Sequence, residues 1–131
     1  LSLLTNNLKI KNKVIFKGWV KDTTPFLKKS KIFVLSSVYE GLGNVLIDAI
    51  NFDIPCISTD CPSGPSEILL NGKGGFLVKP KSPQLMAEKM NFCIKNYKKT
   101  LSKNKLAKRK LNRFLIKQNT NRYFEYLNTF Y

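Results

Sequence analysis

Two carboxylates, Glu40 and Asp48, stand eight positions apart on either side of a segment that contains two glycines. The apolar run Ile32–Leu35 precedes them and is typical of a buried strand, and residues 45–50 have the spacing of a helix with one apolar face. A loop between a strand and a helix N-terminus attracts anions, because free backbone N–H groups and the helix dipole converge there. Carboxylates bind hydroxyl groups. The segment therefore predicts a site for a ligand that carries phosphate and hydroxyls, such as a sugar nucleotide.

The chain contains no histidine, which excludes Ser-His-Asp and Cys-His catalysis and every histidine-based metal site. Its three cysteines, Cys56, Cys61 and Cys93, form no CxxC pair and would leave one unpaired in any disulfide scheme. We expect reduced thiols and a cytoplasmic protein, since no secretory signal pattern and no long apolar run is present. Any catalysis must therefore use carboxylates, hydroxyls, lysines or backbone dipoles.

The formal charge of +15 is concentrated late in the 131-residue chain. From Lys95 onward there are eleven Lys and Arg residues and one acidic residue, Glu125, which gives this segment +10. Such a surface favours anionic lipid headgroups, phosphorylated substrates or nucleic acid. The alternative is a lysine-rich solvated surface with no partner. We expect no nucleic-acid partner, because aromatic RNA-binding patterns and zinc-finger spacing are both missing.

Alternating strands and helices predict an α/β fold with a parallel sheet covered by helices on both faces. The predicted strands are Val14–Phe16, Ile32–Leu35, Pro55–Ser58 and Gly75–Val78. The predicted helices span residues 24–29, 45–50, 66–70 and 83–97, followed by a helical, basic segment over 101–131. Ligands of such sheets bind at the carboxyl ends of the strands. The loops around Gly18, Glu40 and Asp60–Gly64 are predicted to meet there.

An ordered set of motifs resembles the C-terminal domain of family 4 glycosyltransferases, which are retaining enzymes of the two-domain GT-B architecture. The resemblance covers residues 14–87 and is carried by Glu40–Ala49, Pro55, Ser58–Leu69, Gly72 and Gly75–Val78. It implies a Rossmann-like donor-nucleotide domain over residues 1–97, incomplete at its N-terminus, and a basic helical tail over 98–131. The Thr59–Leu69 segment is similar to a subgroup that assembles cell-surface polysaccharide, lipopolysaccharide or lipid-linked glycans.

The resemblance assigns roles to the residues around the two acids. Glu40 is the implied catalytic residue and contacts the transferred sugar. Asp48 is implied to bind the ribose of the nucleotide, where relatives carry the longer glutamate. Backbone amides of the intervening loop are implied to bind the diphosphate, and its glycines allow close approach. The donor-binding loop comprises Gly41, Leu42, Gly43, Asn44 and Val45. The resemblance implies a UDP-sugar donor and transfer without a metal, and the absence of an Asp-x-Asp motif agrees with this.

The sequence also gives expectations for four further positions. Trp19 and Val20 lie where relatives frame the nucleotide base, although a lone tryptophan near a turn more often packs in the protein interior. Glu67 either complements a helix dipole or supports the donor-binding loop. Asp53 stands where relatives commonly carry glycine, and we expect it to adopt a left-handed conformation at the end of a helix.

The resemblance also implies an N-terminal domain for a glycan or lipid-linked acceptor, which these 131 residues do not include. We therefore expect the polypeptide alone not to transfer sugar. Two alternatives are a non-catalytic module that binds sugar nucleotide or protein, and a basic domain that binds membrane or nucleic acid. The basic segment Lys98–Lys117 is expected to dock on anionic lipid at the inner face of the cell membrane. Alternatively, the late aromatic residues Tyr123–Tyr131 pack on the N-terminal domain.

Overall fold

The computed structural model describes residues 1–130, so Tyr131, one of the aromatic residues expected to pack on a partner domain, lies outside the described residues. The strands are β1 (Phe33–Leu35), β2 (Cys56–Thr59) and β3 (Phe76–Val78). The α-helices are α1 (Ser2–Asn7), α2 (Thr24–Leu27), α3 (Asn44–Asn51), α4 (Pro65–Ile68), α5 (Pro83–Lys95), α6 (Tyr97–Arg109) and α7 (Ile116–Leu127). Short 3₁₀ helices span Lys11–Lys13 and Leu111–Phe114. None of the helices in the described part of the chain has the length and apolarity needed to cross a membrane.

The three strands form one parallel sheet in the order β1-β2-β3. Val34 lies opposite Ile57, and Ile57 lies opposite Phe76. Every residue of the central strand β2 is buried, including the polar Ser58 and Thr59, as is typical of a parallel sheet covered on both faces. The predicted parallel α/β architecture is therefore confirmed.

Successive strand residues point to opposite sides of the sheet, so both faces carry side chains that must be buried. Helices cover both faces. On one face, Leu46 and Ile50 of α3 pack with Cys56 of β2. On the other face, Ile57 and Val78 pack with Cys93 of α5. The first of these cores continues beyond residue 97, since it includes Ala107 and Leu111.

The predicted strand Val14–Phe16 is wrong. This segment is irregular, and Ile15 and Phe16 are 76% and 54% exposed. A strand persists only when its backbone N–H and C=O groups are paired with those of a neighbouring strand. Within residues 1–130 this segment forms no ladder with any strand, and β1 pairs with β2 alone. The apolar run therefore lacks the backbone pairing that would make it a strand.

The basic segment is helical, as predicted, but it is not one continuous helix. Helix α5 ends at Lys95 and α6 begins at Tyr97, with Asn96 between them in a non-helical conformation. Helix α6 then ends at Arg109 and is separated from α7 by the 3₁₀ helix. None of the residues of α7 is buried. The structure thus places α6 against the sheet core and leaves α7 open to solvent.

The left-handed conformation expected at Asp53 is confirmed, with φ of +58° just after the end of α3. Lys108 of α6 stabilises this turn, because its Nζ donates to Asn51 O at 2.9 Å and to Asp53 Oδ2 at 2.7 Å. Both side chains are largely exposed, so the ion pair contributes at most about 1 kcal/mol. It joins the end of α3 to α6.

All three cysteines are unpaired and buried, which confirms the prediction of reduced thiols. Burial raises the pKa of the Cys56 thiol to about 12, and burial also raises the pKa of Cys93. The Cys56 thiol additionally donates to Ile54 O at 3.2 Å. A thiol reacts through its thiolate, so these groups are protected in the folded chain.

We predict that a disulfide exchange reagent such as DTNB labels no cysteine in the native protein at pH 8 and labels all three in guanidinium. The unfolded chain releases the Cys56 proton near the ordinary pKa of 9.0, well below the folded value. Above pH 9.0 the unfolded chain loses the Cys56 proton while the folded chain keeps it. The free energy of unfolding is therefore expected to fall as pH rises above 9.0. Rapid labelling of a thiol under native conditions would contradict this burial.

Candidate active site at the carboxyl edge of the sheet

Glu40 lies in the loop that follows β1 and is held by hydrogen bonds to both its side chain and its backbone. Ser37 Oγ donates to Glu40 Oε1 at 2.6 Å, and Ser63 Oγ donates to the Glu40 carbonyl at 2.8 Å. The carbonyl of Ser37 accepts a hydrogen bond from Thr59 Oγ1 at the end of β2. Glu40 is half-buried. Its carboxylate therefore has a defined position at the carboxyl edge of the sheet, where the sequence predicts the site.

Helix α3 begins directly after this loop. Gly43 is its N-cap residue, in a left-handed conformation with φ of +79° and ψ of +49°, which a glycine adopts without steric cost. The Leu46 N–H donates to the Gly43 carbonyl at 2.9 Å, and no side chain caps the helix. The amides of the first turn, including those of Asn44 and Val45, remain available for an anion.

Two loops meet beside this helix N-terminus. Gly64 precedes α4 and has φ of +82°, and a Cβ at this position would lie 2.1 Å from the Leu42 carbonyl oxygen and 2.6 Å from that of Gly41. The donor-binding loop and the loop 61–64 therefore touch through their backbones, with no room for a side chain. The predicted meeting of the Glu40 and Asp60–Gly64 loops is confirmed.

Asp48 lies one turn further along α3, on the same side as Asn44, and its side chain is exposed. Both residues line a groove of about 440 Å³ between α3 and the 3₁₀ helix that follows α6. Leu111 and Phe114 form the apolar wall of this groove. Because Asn44 belongs to both features, the groove opens onto the donor-binding loop. The structure thus places the first acid in the loop and the second in an adjoining groove.

The expectations for Trp19 and Glu67 have different outcomes. Trp19 is 87% exposed, so the interpretation of this residue as interior packing is wrong, and a contact with a nucleotide base stays a prediction. Glu67 lies exposed in the first turn of α4, where its charge complements the helix dipole. Its backbone carbonyl accepts a hydrogen bond from Arg113, which joins α4 to the 3₁₀ helix 111–114. Support of the donor-binding loop by Glu67 stays a prediction.

The sequence interpretation missed the three hydroxyl side chains that hold Glu40 in place, those of Ser37, Thr59 and Ser63. Only the first carries a local signal, since a serine three positions before a carboxylate can bond to it across a turn. Thr59 and Ser63 are 22 and 23 residues away from their partners. Their role depends on the register of β1 against β2.

The fold is a parallel sheet with helices on both faces, and its carboxyl edge carries a carboxylate beside an uncapped helix N-terminus. This arrangement is that of the Rossmann-like class of α/β domains. The sequence profile of one family, described as Glycosyl transferases group 1, matches residues 1–122. The chain therefore belongs to the family Glycosyl transferases group 1.

Several curated proteins are similar to this chain. An uncharacterized glycosyltransferase of Methanocaldococcus jannaschii is 41% identical over 104 residues, which cover 70% of this chain and 26% of that protein. The lipopolysaccharide 1,6-galactosyltransferase of Salmonella typhimurium is 34% identical over 82 residues, covering 58% of this chain and 22% of that enzyme. The chain thus spans about a quarter of the length of these relatives.

Solved structures confirm the fold. Anabaena HepE in complex with UDP has a TM-score of 0.86 at 24% identity, with 97% of this chain and 35% of that chain covered. The C-terminal domain of the group 1 glycosyl transferase LpcC from Francisella tularensis has a TM-score of 0.75 at 24% identity, covering 88% and 60%. The Rossmann-like architecture of this chain matches C-terminal domains of GT-B glycosyltransferases.

Proposed function

We propose that this chain is the donor-nucleotide-binding part of a glycosyltransferase that transfers a sugar from a UDP-sugar. The observation that carries the proposal is the fixed Glu40 carboxylate beside the uncapped N-terminus of α3. The complexes of HepE with UDP and with UDP-glucose support a uridine nucleotide. Relatives named for lipopolysaccharide and amylovoran biosynthesis support a role in cell-surface polysaccharide, lipopolysaccharide or lipid-linked glycan assembly.

In this proposal the nucleotide lies across the donor-binding loop. The amides of residues 42–45 bind the diphosphate and stabilise the negative charge that develops on it as the sugar leaves. Glu40 binds hydroxyls of the transferred sugar. Asp48 binds the ribose in the groove that it shares with Asn44. Because aspartate is one methylene shorter than glutamate, the ribose must approach α3 more closely or bind through a water.

We further propose that the reaction follows the family 4 pattern with retention of configuration and without a metal ion. The acceptor hydroxyl, on a glycan or a lipid-linked glycan, attacks the sugar carbon on the face from which the diphosphate departs. The bond from that carbon to the diphosphate oxygen breaks, and the acceptor proton passes to the departing diphosphate. The acceptor is bound by an N-terminal domain of the same enzyme. Glu40 orients the sugar for this exchange.

A nucleotide titration tests the proposal on the longest natural polypeptide that contains this chain. Asp48→Ala is expected to weaken binding of both UDP and the UDP-sugar by about ten- to a hundredfold, because a hydrogen bond to a charged group contributes about 1.5–3 kcal/mol. Glu40→Ala is expected to weaken the UDP-sugar alone. Isothermal titration calorimetry gives both constants.

The matched control for this titration is Glu88→Ala, which removes an exposed carboxylate on α5, outside the residues assigned to the donor site. It is expected to leave both affinities unchanged. The proposal is wrong if the unmodified protein binds no uridine nucleotide, or if Asp48→Ala binds UDP as tightly as the parent protein does.

We also propose that the basic helix α6 brings the enzyme to an anionic membrane surface. Helix α6 buries Thr100, Asn104 and Ala107 against the core, which turns most of its lysines outward. Such clusters attract anionic headgroups with about 1 kcal/mol per basic residue near the surface. This places a donor site beside a lipid-linked acceptor.

Vesicle co-sedimentation tests the membrane proposal. Replacing the exposed Lys105, Arg109 and Lys110 by glutamine is expected to weaken binding to vesicles rich in phosphatidylglycerol by at least tenfold at low salt. The control replaces Lys9, Lys11 and Lys13, which changes the net charge equally at another place. Equal losses from the two triple variants would indicate a general charge effect and contradict a membrane-binding role of α6.

A further inference from the structure

The hydrogen bond from Ser37 to Glu40 has a consequence for how the enzyme recognises the sugar. Resting on the proposed function above, we propose that Ser37 is a positioning residue, which orients the Glu40 carboxylate toward the transferred sugar and so determines the preference for UDP-sugar over UDP. The proposed role of Ser37 is limited to recognition of the transferred sugar and does not extend to the nucleotide. The diphosphate is bound by backbone amides that Ser37 does not touch.

Ser37 is itself held in place by the central strand. Its carbonyl accepts a hydrogen bond from Thr59 Oγ1, and Thr59 is the last residue of β2 and is buried. The next residue, Asp60, is fixed in turn because its N–H donates to the Val78 carbonyl of β3 at 2.8 Å. The backbone that carries the Ser37 hydroxyl is therefore tied to the end of the central strand.

The bond leaves most of the carboxylate free for a ligand. A serine hydroxyl has one hydrogen, and Ser37 donates it to Glu40 Oε1. An ionised carboxylate accepts about four hydrogen bonds through its two oxygens. Oε2 and the second lone pair of Oε1 can therefore still accept from sugar hydroxyls. Ser37 restricts the direction of the carboxylate without occupying the side that a sugar would need.

The backbone of Glu40 is fixed separately. Ser63 Oγ donates to the Glu40 carbonyl from the loop that precedes α4. Main chain and side chain are thus held by two different serines. Loss of the Ser37 hydroxyl should free the carboxylate to rotate while the Ser63 bond keeps the loop in place. A sugar would then have to immobilise the glutamate side chain on binding, which weakens its affinity.

Affinities for UDP and for a UDP-sugar, measured by calorimetry on the longest natural polypeptide that contains this chain, test the inference. The probe is whichever of UDP-glucose, UDP-galactose and UDP-N-acetylglucosamine the unmodified protein binds most tightly. Ser37→Ala is expected to lower UDP-sugar affinity by about fivefold and to leave UDP affinity unchanged, as loss of one hydrogen bond predicts. Ser36→Ala, which changes the exposed neighbouring serine, is expected to change neither affinity.

A second comparison uses two residues of equal shape. Ser37→Thr retains the hydroxyl and Ser37→Val lacks it, so the threonine variant is expected to bind the UDP-sugar several-fold more tightly than the valine variant. A third places Ser37→Ala in a Glu40→Ala background, where it is expected to have no further effect, because the group that it positions is gone.

Three results would overturn the inference. Equal losses of UDP and UDP-sugar affinity would assign Ser37 a purely structural role. Equal UDP-sugar affinity of the threonine and valine variants would exclude the hydroxyl as the cause, and additive losses with Glu40→Ala would exclude an action through Glu40. Failure of the unmodified protein to bind any uridine nucleotide would instead refute the proposed function, so the two failures are distinguishable.

Discussion

Gly64→Ala is expected to destabilise the fold by about 2–6 kcal/mol and to abolish measurable nucleotide binding. Two effects combine at this position. An L-residue at φ of +82° and ψ of −71° is strained by about 1–3 kcal/mol, and an added Cβ lies 2.1 Å from the Leu42 carbonyl oxygen. Overpacking of this kind costs about 1–3 kcal/mol further, because the only atoms that can yield are backbone atoms of the donor-binding loop. The substitution thus displaces the amides proposed to bind the diphosphate.

Gly72→Ala provides the matched control for this prediction. Gly72 has φ of +83°, nearly the same as Gly64, yet a Cβ there would meet no atom within 4 Å. It is expected to cost only the backbone strain of about 1–2 kcal/mol and to leave nucleotide affinity unchanged. Urea unfolding and UDP titration of both variants measure the difference. Equal destabilisation, or normal UDP binding by Gly64→Ala, would show that the two loops are not in backbone contact.

The sequence predicted the sheet where apolar runs are continuous and failed where pairing depends on a neighbour. Strands β1, β2 and β3 lie within one residue of their predicted ends, because β1 and β3 are uninterrupted apolar runs and β2 begins with the apolar Cys56 and Ile57. Val14–Phe16 has the same composition, but composition does not state whether a second strand lies beside it. The sequence does not show which strand, if any, pairs with this segment.

Helix α6 shows a different limit. Its composition is strongly basic, and the sequence therefore predicted a basic helical tail over residues 98–131 that follows the donor-nucleotide domain. The residues that it buries are Thr100, Asn104 and Ala107, which are polar or small and produce little apolar signal. Ala107 fits there because of its size, since a Cβ on Gly74 would lie 2.7 Å from the Ala107 Cβ. Close packing between small residues depends on the facing surface and cannot be inferred from one segment.

The candidate site was predictable to the extent that it is local. Glu40, the glycines and the first turn of α3 are consecutive in the chain, so their proximity follows from a strand, a loop and a helix. The partners that fix Glu40 come from β2 and the loop after it. Their positions depend on strand register, which the sequence does not display. Short-range chemistry could therefore be predicted, whereas the hydrogen bonds that orient it could not.

Helix α3 carries the proposed diphosphate amides and Asp48, so its anchoring in the core is the second change with a large expected effect. Leu46 is fully buried between the sheet and the neighbouring helices, whereas the adjacent Val45 is 45% exposed. Leu46→Ala is expected to lower the free energy of unfolding by about 2–5 kcal/mol, through lost apolar burial and the cavity left behind. Val45→Ala is expected to change it by less than about 0.5 kcal/mol.

Urea unfolding followed by circular dichroism measures both effects, with an unchanged m-value expected for each variant. UDP titration of the Leu46→Ala protein then separates anchoring from recognition. Truncation of a core side chain leaves the amides and Asp48 in place in every folded molecule, so the dissociation constant per folded molecule should not change. The UDP concentration needed for half-saturation rises only as the folded fraction falls, and bound nucleotide should restore stability by mass action. A weaker affinity in fully folded protein would instead mean that Leu46 sets the position of the helix N-terminus as well as its stability.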